Sequence, residues 1–122
     1  MADKRTVFRI QIPSDATVLH QKIVELLTAQ GYQQITYSRH NGTEIVWRWT
    51  DGSWMPMRYI KLDYQPGVLV ISAWICYVFG NFTNSETSLE GFSGALPKGL
   101  TKNTVHDIAR MAQAFMGTAP QQ

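Results

Sequence analysis

The stretch that decides the fold is residues 32–79, which read YQQITYSRHNGTEIVWRWTDGSWMPMRYIKLDYQPGVLVISAWICYVF. Val, Ile, Thr and aromatic residues are frequent throughout it, and the pairs Asn41-Gly42 and Pro66-Gly67 interrupt it. Branched and aromatic side chains suit the surface of a β-sheet, whereas Asn-Gly and Pro-Gly favour tight turns. The stretch therefore predicts four consecutive antiparallel strands.

One short strand and two helices are predicted around this stretch. Val7 to Ile12 alternates apolar and polar side chains, which is typical of a half-buried strand. Apolar residues then recur at helical spacing and predict a first helix over about Asp15 to Gln30, with Ser14 or Asp15 as its N-cap. Gly31 can end this helix because glycine readily adopts the left-handed conformation.

The predicted C-terminal helix begins at Thr101, which serves as its N-cap, and ends at Gly117. Residues 80–100 before it contain four glycines and one proline and show no sustained periodicity. We expect a long irregular segment here, with a short edge strand over Thr83 to Leu89 and with Phe92 anchored on the core.

The resulting order β-α-β-β-β-β-α predicts an α+β fold in one domain covering residues 1–122. A chain of 122 residues with 44% hydrophobic residues can bury a core without a disulfide or a metal. We expect a single antiparallel sheet of about five strands, with both helices packed on one face and the other face open.

Side-chain sorting predicts the register of the first hairpin. A two-residue loop formed by Asn41 and Gly42 would mix polar residues with tryptophans on one face, whereas a three-residue loop that sets Arg39 opposite Thr43 separates them. We therefore predict the three-residue loop. It places five apolar residues on the face towards the helices: Ile35, Tyr37, Ile45, Trp47 and Trp49.

The second hairpin is predicted from its turn residues. Pro66 fits the first central position of the turn and Gly67 the second, where φ must be positive. Gln65 then lies opposite Val68. This register sends seven apolar residues towards the helices: Ile60, Leu62, Tyr64, Leu69, Ile71, Ala73 and Ile75.

Charge and cysteine content limit the compartment and the partners. The formal net charge is +2, the two signs are interspersed, and no run of like charges predicts a nucleic-acid-binding tail. Cys76 is the one cysteine, so no internal disulfide can form. The N-terminal residues lack the apolar core of a signal peptide, and the longest apolar run, Val68 to Phe79, is too short to cross a bilayer. These features favour a cytoplasmic protein without a membrane segment.

Residue types that often carry chemistry do not form a recognisable set here. His20, His40 and His106 lack partners at catalytic or metal-ligand spacing. Cys76 lies in an apolar run and is expected to be a small buried side chain. Residues 91–94, GFSG, have neither the spacing of a serine elbow nor that of a phosphate loop. We therefore predict no catalytic residue, no metal and no cofactor.

The outer face of the sheet, opposite the helices, is the best candidate for a contact surface. Tyr59 and Trp74 are expected there as an exposed pair, beside four basic side chains: Arg9, Arg48, Arg58 and Lys61. Aromatic and basic side chains on open strands can stack on bases and pair with phosphates. Glu44 and Asp63 dilute the charge, however, and no RNA-binding strand motif is present. Nucleic acid is therefore a less favoured partner than a small ligand or a protein.

Residues 86–98, ETSLEGFSGALPK, resemble a segment of small uncharacterised bacterial proteins with an EGFxGALPK-like sequence. The resemblance covers about the last half of the chain; it implies a cytosolic protein of bacterial or phage origin and no catalytic residue. The element order is also similar to that of TATA-binding-protein-like folds and, less closely, of helix-grip proteins. These likenesses concern the fold and do not fix a function.

Two classes of function follow from the sequence. The first is a non-enzymatic binding module that uses the outer sheet face, or the cleft between the sheet and the C-terminal helix, for a small apolar ligand or a protein partner. A homodimer that pairs the two outer faces would cover the exposed rings. The alternative is an enzyme of unrecognised type working from residues 80–100, with Glu86 or Glu90 beside His106, or a binder of single-stranded nucleic acid. For the binding module, ligand or partner contacts are predicted at Tyr59, Trp74, Arg48, Lys61 and Phe92.

Overall fold

The order of helices and strands agrees with the order predicted from the sequence. A computed structural model describes residues 5–39, 42–52, 56–76, 78–79, 82–83, 86–90 and 95–117 of the chain. These residues form, in chain order, β1 (Thr6–Gln11), α1 (Thr17–Ala29), β2 (Gln33–Arg39), β3 (Gly42–Trp49), β4 (Met57–Gln65), β5 (Val68–Cys76), β6 (Val78–Phe79), β7 (Phe82–Thr83) and α2 (Ala95–Gly117).

Strands β1 to β5 form one open antiparallel sheet in the order β1-β5-β4-β3-β2. β4 lies at its centre, and β1 and β2 are its edges. Both helices pack on one face, called the inner face here, and the opposite face is the outer face. The predicted α+β fold is confirmed. β6 and β7 form a separate two-stranded ribbon.

The inner face and the two helices enclose the main hydrophobic core. Helix residues spaced three or four apart share one side of their helix, and alternate strand residues share one face of the sheet. Both patterns converge here on a set of buried apolar side chains: Leu19, Ile23, Leu27, Ile60, Leu69, Ile71, Ala73, Ile75, Val105, Ile108 and Ala112.

The hairpin of β4 and β5 has the predicted register. Gln65 lies opposite Val68, and Gly67 has a φ of 73°, as the turn requires. The predicted alternation of β4 and β5 between the two faces therefore holds along both strands.

The hairpin of β2 and β3 departs from the predicted register by one residue. Arg39 lies opposite Gly42 rather than opposite Thr43. A shift of one residue turns every side chain of a strand to the other face, so the prediction for β2 was wrong along its length. The prediction for β3 was right about its tryptophans, because Trp47 and Trp49 face the helices.

Ile35 and Tyr37 consequently lie on the outer face. The helices leave the inner face uncovered at the β2 edge, where Gln34 and Thr36 are exposed. The outer face, in contrast, has a buried apolar cluster of its own, and Tyr37 packs into it. The apolar side chains of β2 are therefore better removed from water when they face outward.

Helix α1 begins at Thr17 rather than at Asp15. Ala16 occupies the N-cap position, and the Thr17 backbone N–H donates to Oδ1 of Asp15 (3.1 Å). This hydrogen bond holds the pKa of Asp15 below its ordinary value. Gly31 follows the helix with a φ of 92°, in the left-handed region as predicted.

Helix α2 begins at Ala95, well before the predicted start at Thr101. Pro97 lies in the first turn, where a residue without an N–H is tolerated because the first N–H groups have no partner within the helix. Thr101 is not a cap, since its hydroxyl donates to the Pro97 carbonyl one turn earlier (2.7 Å). The prediction failed because a threonine hydroxyl can do one of two things. It can accept from a backbone N–H as an N-cap, or it can donate to the carbonyl four residues earlier inside a helix.

Residues 86–90 pair with β5 on the same side as β1, just beyond the β1 residue Thr6. Thr87 exchanges two backbone hydrogen bonds with Ile75 (3.0 and 2.9 Å), and the Leu89 N–H donates to Oγ1 of Thr6 (2.8 Å). Within the described residues, the edge strand predicted over Thr83 to Leu89 is thus reduced to this bridge and the two-residue β7.

Replacing Gly31 with alanine is expected to lower the free energy of unfolding by about 2 kcal/mol, measured by urea denaturation. The positive φ strains any residue with a Cβ, and a Cβ at this position would lie 3.1 Å from Cδ1 of Trp49. Gly52→Ala is the matched control, because Gly52 also has a positive φ (76°) but a Cβ there would have no heavy atom within 4 Å. Its loss should be about 1 kcal/mol. Equal losses in the two variants would show that the contact with Trp49 is unimportant.

Candidate functional site

The aromatic pair predicted on the outer face lies there but is buried within the chain. Trp74 is 0% and Tyr59 3% exposed, and their rings stack with centroids 5.4 Å apart. The Tyr37 ring packs against both, at centroid distances of 4.9 Å from Tyr59 and 5.6 Å from Trp74. The guanidinium of Arg5 covers the Trp74 ring at 3.8 Å. The expectation of an exposed aromatic patch was therefore wrong.

Side chains from both edges of the sheet close off the rings. Arg5 precedes β1 at one edge of the sheet, and Tyr37 belongs to β2 at the other edge. Both side chains contact the Trp74 ring. The outer face thus has a second small core.

Arg5 holds two carboxylates over these rings. Its Nη2 lies 2.7 Å from Oε2 of Glu44 and 2.7 Å from Oε2 of Glu86, and its Nε and Nη1 make the second bond to each carboxylate. Burial disfavours the charge of Arg5, but the hydrogen bonds from Arg5 to Glu86 and Glu44 more than offset it and raise the pKa of Arg5. We call this set the outer cluster: Arg5, Tyr37, Glu44, Tyr59, Lys61, Trp74 and Glu86.

Two further polar side chains of the outer cluster bond within it. The Tyr37 hydroxyl donates to Oε2 of Glu86 (3.0 Å), and burial raises the pKa of Tyr37 so that the proton stays in place. Lys61 Nζ lies 3.0 Å from Oε1 of Glu44. Two cations and two carboxylates therefore balance. Such a network of paired charges holds a structure together.

The residues predicted to contact a ligand lie in different settings. Tyr59 and Trp74 are sealed within the chain, and Lys61 is engaged with Glu44. Arg48 is half-buried and lies opposite Tyr59 in the register of β3 and β4. Phe92 lies outside the described residues. Burial of both rings removes the reason given above for a homodimer through the outer face.

Arg58 was grouped with the basic residues of the outer face, and this assignment was wrong. It lies on β4 two residues before Ile60, opposite Trp49 on β3, and so projects from the inner face. Arg58 is only 8% exposed. Its guanidinium carbon lies 3.9 Å from the centroid of the Trp49 ring and 5.7 Å from that of Tyr32. A charged side chain is therefore buried among aromatic rings at the end of the main core.

The position of the Trp49 ring depends on the turn that follows α1. Gly31 lies directly against this ring, and a Cβ there would lie 3.1 Å from its Cδ1, so the ring would have to shift by a few tenths of an ångström. The left-handed turn at Gly31 also brings Tyr32 back under the helix, where it is 2% exposed. Trp49 itself is half-buried, so one part of this aromatic wall reaches the surface.

Helix α2 closes the site from the other side. Burial raises the pKa of Tyr32, and the charge of Arg58 and the nearby hydroxyls of Thr104 and Thr101 oppose this effect only in part. Gln30 ties the two helices together here, accepting a hydrogen bond from the Thr104 hydroxyl (2.6 Å) and donating one to Oδ2 of Asp107 (3.1 Å). We call this set the Arg58 site: Tyr32, Trp49, Arg58, Thr101 and Thr104.

Two polar atoms of the Arg58 site are buried without a hydrogen-bond partner, namely Nε of Arg58 and the hydroxyl of Tyr32. Nε1 of Trp74, beneath Arg5 in the outer cluster, is a third such atom among the described residues. A buried polar group without a partner typically costs about 1–3 kcal/mol, and a charged one more. Burial accordingly lowers the pKa of Arg58, opposed by the nearby Tyr32 and Asp51. The Arg58 site is the place where two of these atoms occur together.

A shallow groove of about 460 Å³ lies at the other end of α1. His20 Nδ1 lies 2.6 Å from the Tyr64 hydroxyl there, and burial raises the pKa of Tyr64 to about 12. The groove is lined by Ala16, Thr17, His20, Gln21 and Tyr64. It offers a mostly aliphatic and aromatic surface with one polar pair.

The residues named for the enzymatic alternative do not come together. Glu86 bonds to Arg5 and Tyr37 on the outer face. The Glu90 carbonyl accepts from the buried Lys98 Nζ (2.5 Å), and His106 is exposed on α2. In the part of the chain that the structure describes, no group of three or more His, Cys, Asp or Glu residues is placed to hold a metal ion.

Sequence reasoning missed the Arg58 site although one signal for it was present. The inner-face series of β4 runs Ile60, Leu62, Tyr64, and the same alternation continued backwards places Arg58 on that face. One charged residue at the end of a series of alternate apolar residues is the pattern that identifies a charged side chain on the buried face of a strand. Its contacts with Tyr32 and Trp49 depend on tertiary packing and have no local sequence pattern.

No family model matches the chain, and no curated protein or solved structure matches it. None of the helices within the described ranges is long and apolar enough to cross a membrane.

Glu44→Gln is expected to flatten the loss of stability in acid. Hydrogen bonds from Arg5 lower the pKa of Glu44 to about 2 from its ordinary value of 4.5, with Lys61 assisting and burial opposing. A carboxylate with a lowered pKa stabilises the fold above its ordinary value, and this contribution is lost as the pH falls from about 4.5 towards 2. Urea denaturation at a series of pH values measures the slope.

Glu25→Gln is the control for this experiment, because Glu25 is exposed and pairs with Lys22 at 3.7 Å on the surface. Its profile should match that of the unchanged protein. A Glu44→Gln profile as steep as the control's would contradict the role given to Arg5 and Glu44.

Arg5→Met and Arg58→Met are expected to affect stability in opposite ways. Arg5→Met leaves the buried Glu86 carboxylate without its cation and should lower the free energy of unfolding by about 3 kcal/mol. Arg58→Met removes a buried charge that has no hydrogen-bond partner at Nε, so stability should stay within about 1 kcal/mol of the original or rise. Thermal and urea denaturation of both variants test this contrast. A loss at Arg58 as large as that at Arg5 would show that Arg58 is a structural residue.

Proposed function

We propose that the protein is a non-enzymatic binding module and that it holds a small molecule with an apolar body at the Arg58 site. The observation that carries this proposal is the pair of buried, unpartnered polar atoms, Nε of Arg58 and the Tyr32 hydroxyl, in one aromatic setting. Folded proteins pair nearly all such groups, and an exception calls for a reason.

The outer cluster supports this interpretation by contrast. On that face the same chain surrounds Arg5 with two carboxylates and gives the Tyr37 hydroxyl an acceptor. The chain therefore surrounds the half-buried Arg5 with acceptors where this arginine serves the fold. Leaving Arg58 unsatisfied lowers stability, and proteins tolerate such losses where a group is needed for function.

The location also suits a small ligand. Ligand sites are typically apolar and aromatic with a few directed polar groups, and they lie between structural layers. The Arg58 site lies between the sheet and α2, where the Trp49 ring reaches the surface and Arg58 and Tyr32 provide the polar groups. The proposal therefore follows the expectation of a site between the sheet and the C-terminal helix rather than on the outer face.

The chemistry of the site favours binding over acid–base catalysis. A general base must accept a proton near neutral pH. Burial raises the pKa of Tyr32, which keeps its hydroxyl protonated, and an arginine remains charged at neutral pH even when burial lowers its pKa. Both groups are suited to holding a ligand in place.

The groove at His20 is the second candidate site, because its volume of about 460 Å³ is typical of small-ligand sites. Its polar pair, His20 and Tyr64, is already joined by a hydrogen bond. The polar groups of the groove therefore bond to each other, whereas Nε of Arg58 and the Tyr32 hydroxyl lack a hydrogen bond that a ligand could supply.

Binding of the neutral fluorescent probe N-phenyl-1-naphthylamine tests the proposal. We expect saturable binding to the unchanged protein and a loss of affinity of about tenfold in Trp49→Ala, because the aromatic wall is removed. His20→Ala should bind as the unchanged protein does. Circular dichroism establishes that each variant is folded at the temperature used.

Loss of binding in His20→Ala with no change in Trp49→Ala would move the site to the groove. An absence of saturable binding to the unchanged protein would contradict the proposed function itself.

A further inference from the structure

Among the described residues, aromatic rings rather than a carboxylate lie against the guanidinium of Arg58. These are the rings of Trp49 and Tyr32. Asp51 is the acid whose charge acts on it, but Asp51 is exposed and its effect ranks below that of burial and of Tyr32. Stacking on a tryptophan stabilises a guanidinium by about 2 kcal/mol when the pair is removed from water, which is less than a buried ion loses on leaving water.

The two unpartnered atoms of the Arg58 site share one chemical property. Nε of Arg58 can only donate a hydrogen bond, and the Tyr32 hydroxyl, whose pKa burial raises, keeps a proton that it can donate. A partner that satisfies Nε of Arg58 must therefore supply an acceptor, and the same acceptor group can also bond to the Tyr32 hydroxyl. A partner that also balances the guanidinium must carry negative charge.

We infer that the ligand of the Arg58 site is an organic anion, in which an apolar body carries one carboxylate or comparable oxyanion that pairs with Arg58 and accepts from Tyr32. This inference rests on the function proposed above and names the class of ligand. An oxyanion offers several lone pairs, so it can accept from both donors at once.

The arrangement of Arg58 fits this role better than a lysine would. Stacking on Trp49 fixes the plane of the guanidinium, which leaves its edge as the donor surface, and a planar fork matches the two oxygens of a carboxylate. The surrounding rings exclude water, so the hydrogen bond to a charged acceptor is stronger than at the surface.

A matched pair of probes separates the anion from the apolar body. 8-Anilinonaphthalene-1-sulfonate has the skeleton of N-phenyl-1-naphthylamine and adds one sulfonate. The unchanged protein should bind the sulfonate at least about tenfold more tightly than the neutral probe, since a charge-assisted hydrogen bond gives that advantage. Fluorescence titration at fixed ionic strength measures both dissociation constants.

Arg58→Met should remove the preference, so that both probes bind with the affinity of the neutral one. Arg48→Met is the control, because it removes the same charge from the same sheet on the outer face. It should keep the preference. Arg58→Lys, which retains the charge without the planar fork, should keep only part of it and serves as the second variant if Arg58→Met does not fold.

Equal affinities of the two probes for the unchanged protein would overturn the inference while leaving the proposed function intact. A preference for the sulfonate that persists in Arg58→Met, or that disappears equally in Arg48→Met, would also overturn it. Failure of the unchanged protein to bind either probe would remove the proposed function and this inference together.

Discussion

β4 is hydrogen-bonded to β3 on one side and to β5 on the other, and this double pairing fixes which side chains lie on each face of the sheet. Alternate residues of a strand point to opposite faces, so the central strand contributes to two separate environments. Ile60 joins the core beneath the helices, and its neighbour Tyr59 joins the cluster on the outer face. Both faces are buried at residues 58–60 of this strand, which is why an open sheet with helices on only one face still has two hydrophobic clusters.

The two faces surround an arginine in different ways. The half-buried Arg5 pairs with carboxylates that lie far from it in sequence, in β3 and in residues 86–90, and so joins these segments to the start of β1. Among the described residues, the buried Arg58 has aromatic rings against its guanidinium instead. The first arrangement contributes to the fold, and the second is the basis of the proposed binding site.

Local patterns predicted the parts of the fold that depend on local chemistry. Pro66 and Gly67 fix a turn and therefore a register, and the alternation of β4 and β5 follows from it. The first hairpin was assigned by assuming that the outer face is polar, and the burial of Tyr37 depends on contacts with β4 and β5 that the sequence of β2 does not reveal. The start of α2 was missed because Thr101 was taken as an N-cap, whereas its hydroxyl bonds to the Pro97 carbonyl within the helix.

The candidate site was the least predictable part of the molecule. Tyr59 and Trp74 were chosen because aromatic residues on an open face indicate a contact surface, but Tyr37 and Arg5 from the two edges of the sheet cover them. These contacts join segments that are distant in sequence and cannot be deduced from alternation. Arg58 could have been found, because its position in the series of Ile60 and Leu62 follows from period two alone.

Gln30 has a consequence for how any molecule reaches the Arg58 site. Its side chain bonds to Thr104 and Asp107 together, so the C-terminal end of α1 cannot separate from α2 without breaking both bonds. The half-buried Trp49 ring is the part of the site that reaches the surface. For the proposed ligand, entry would then require displacement of this indole rather than a hinge motion between the helices, and the backbone would keep the same shape with the site occupied or free.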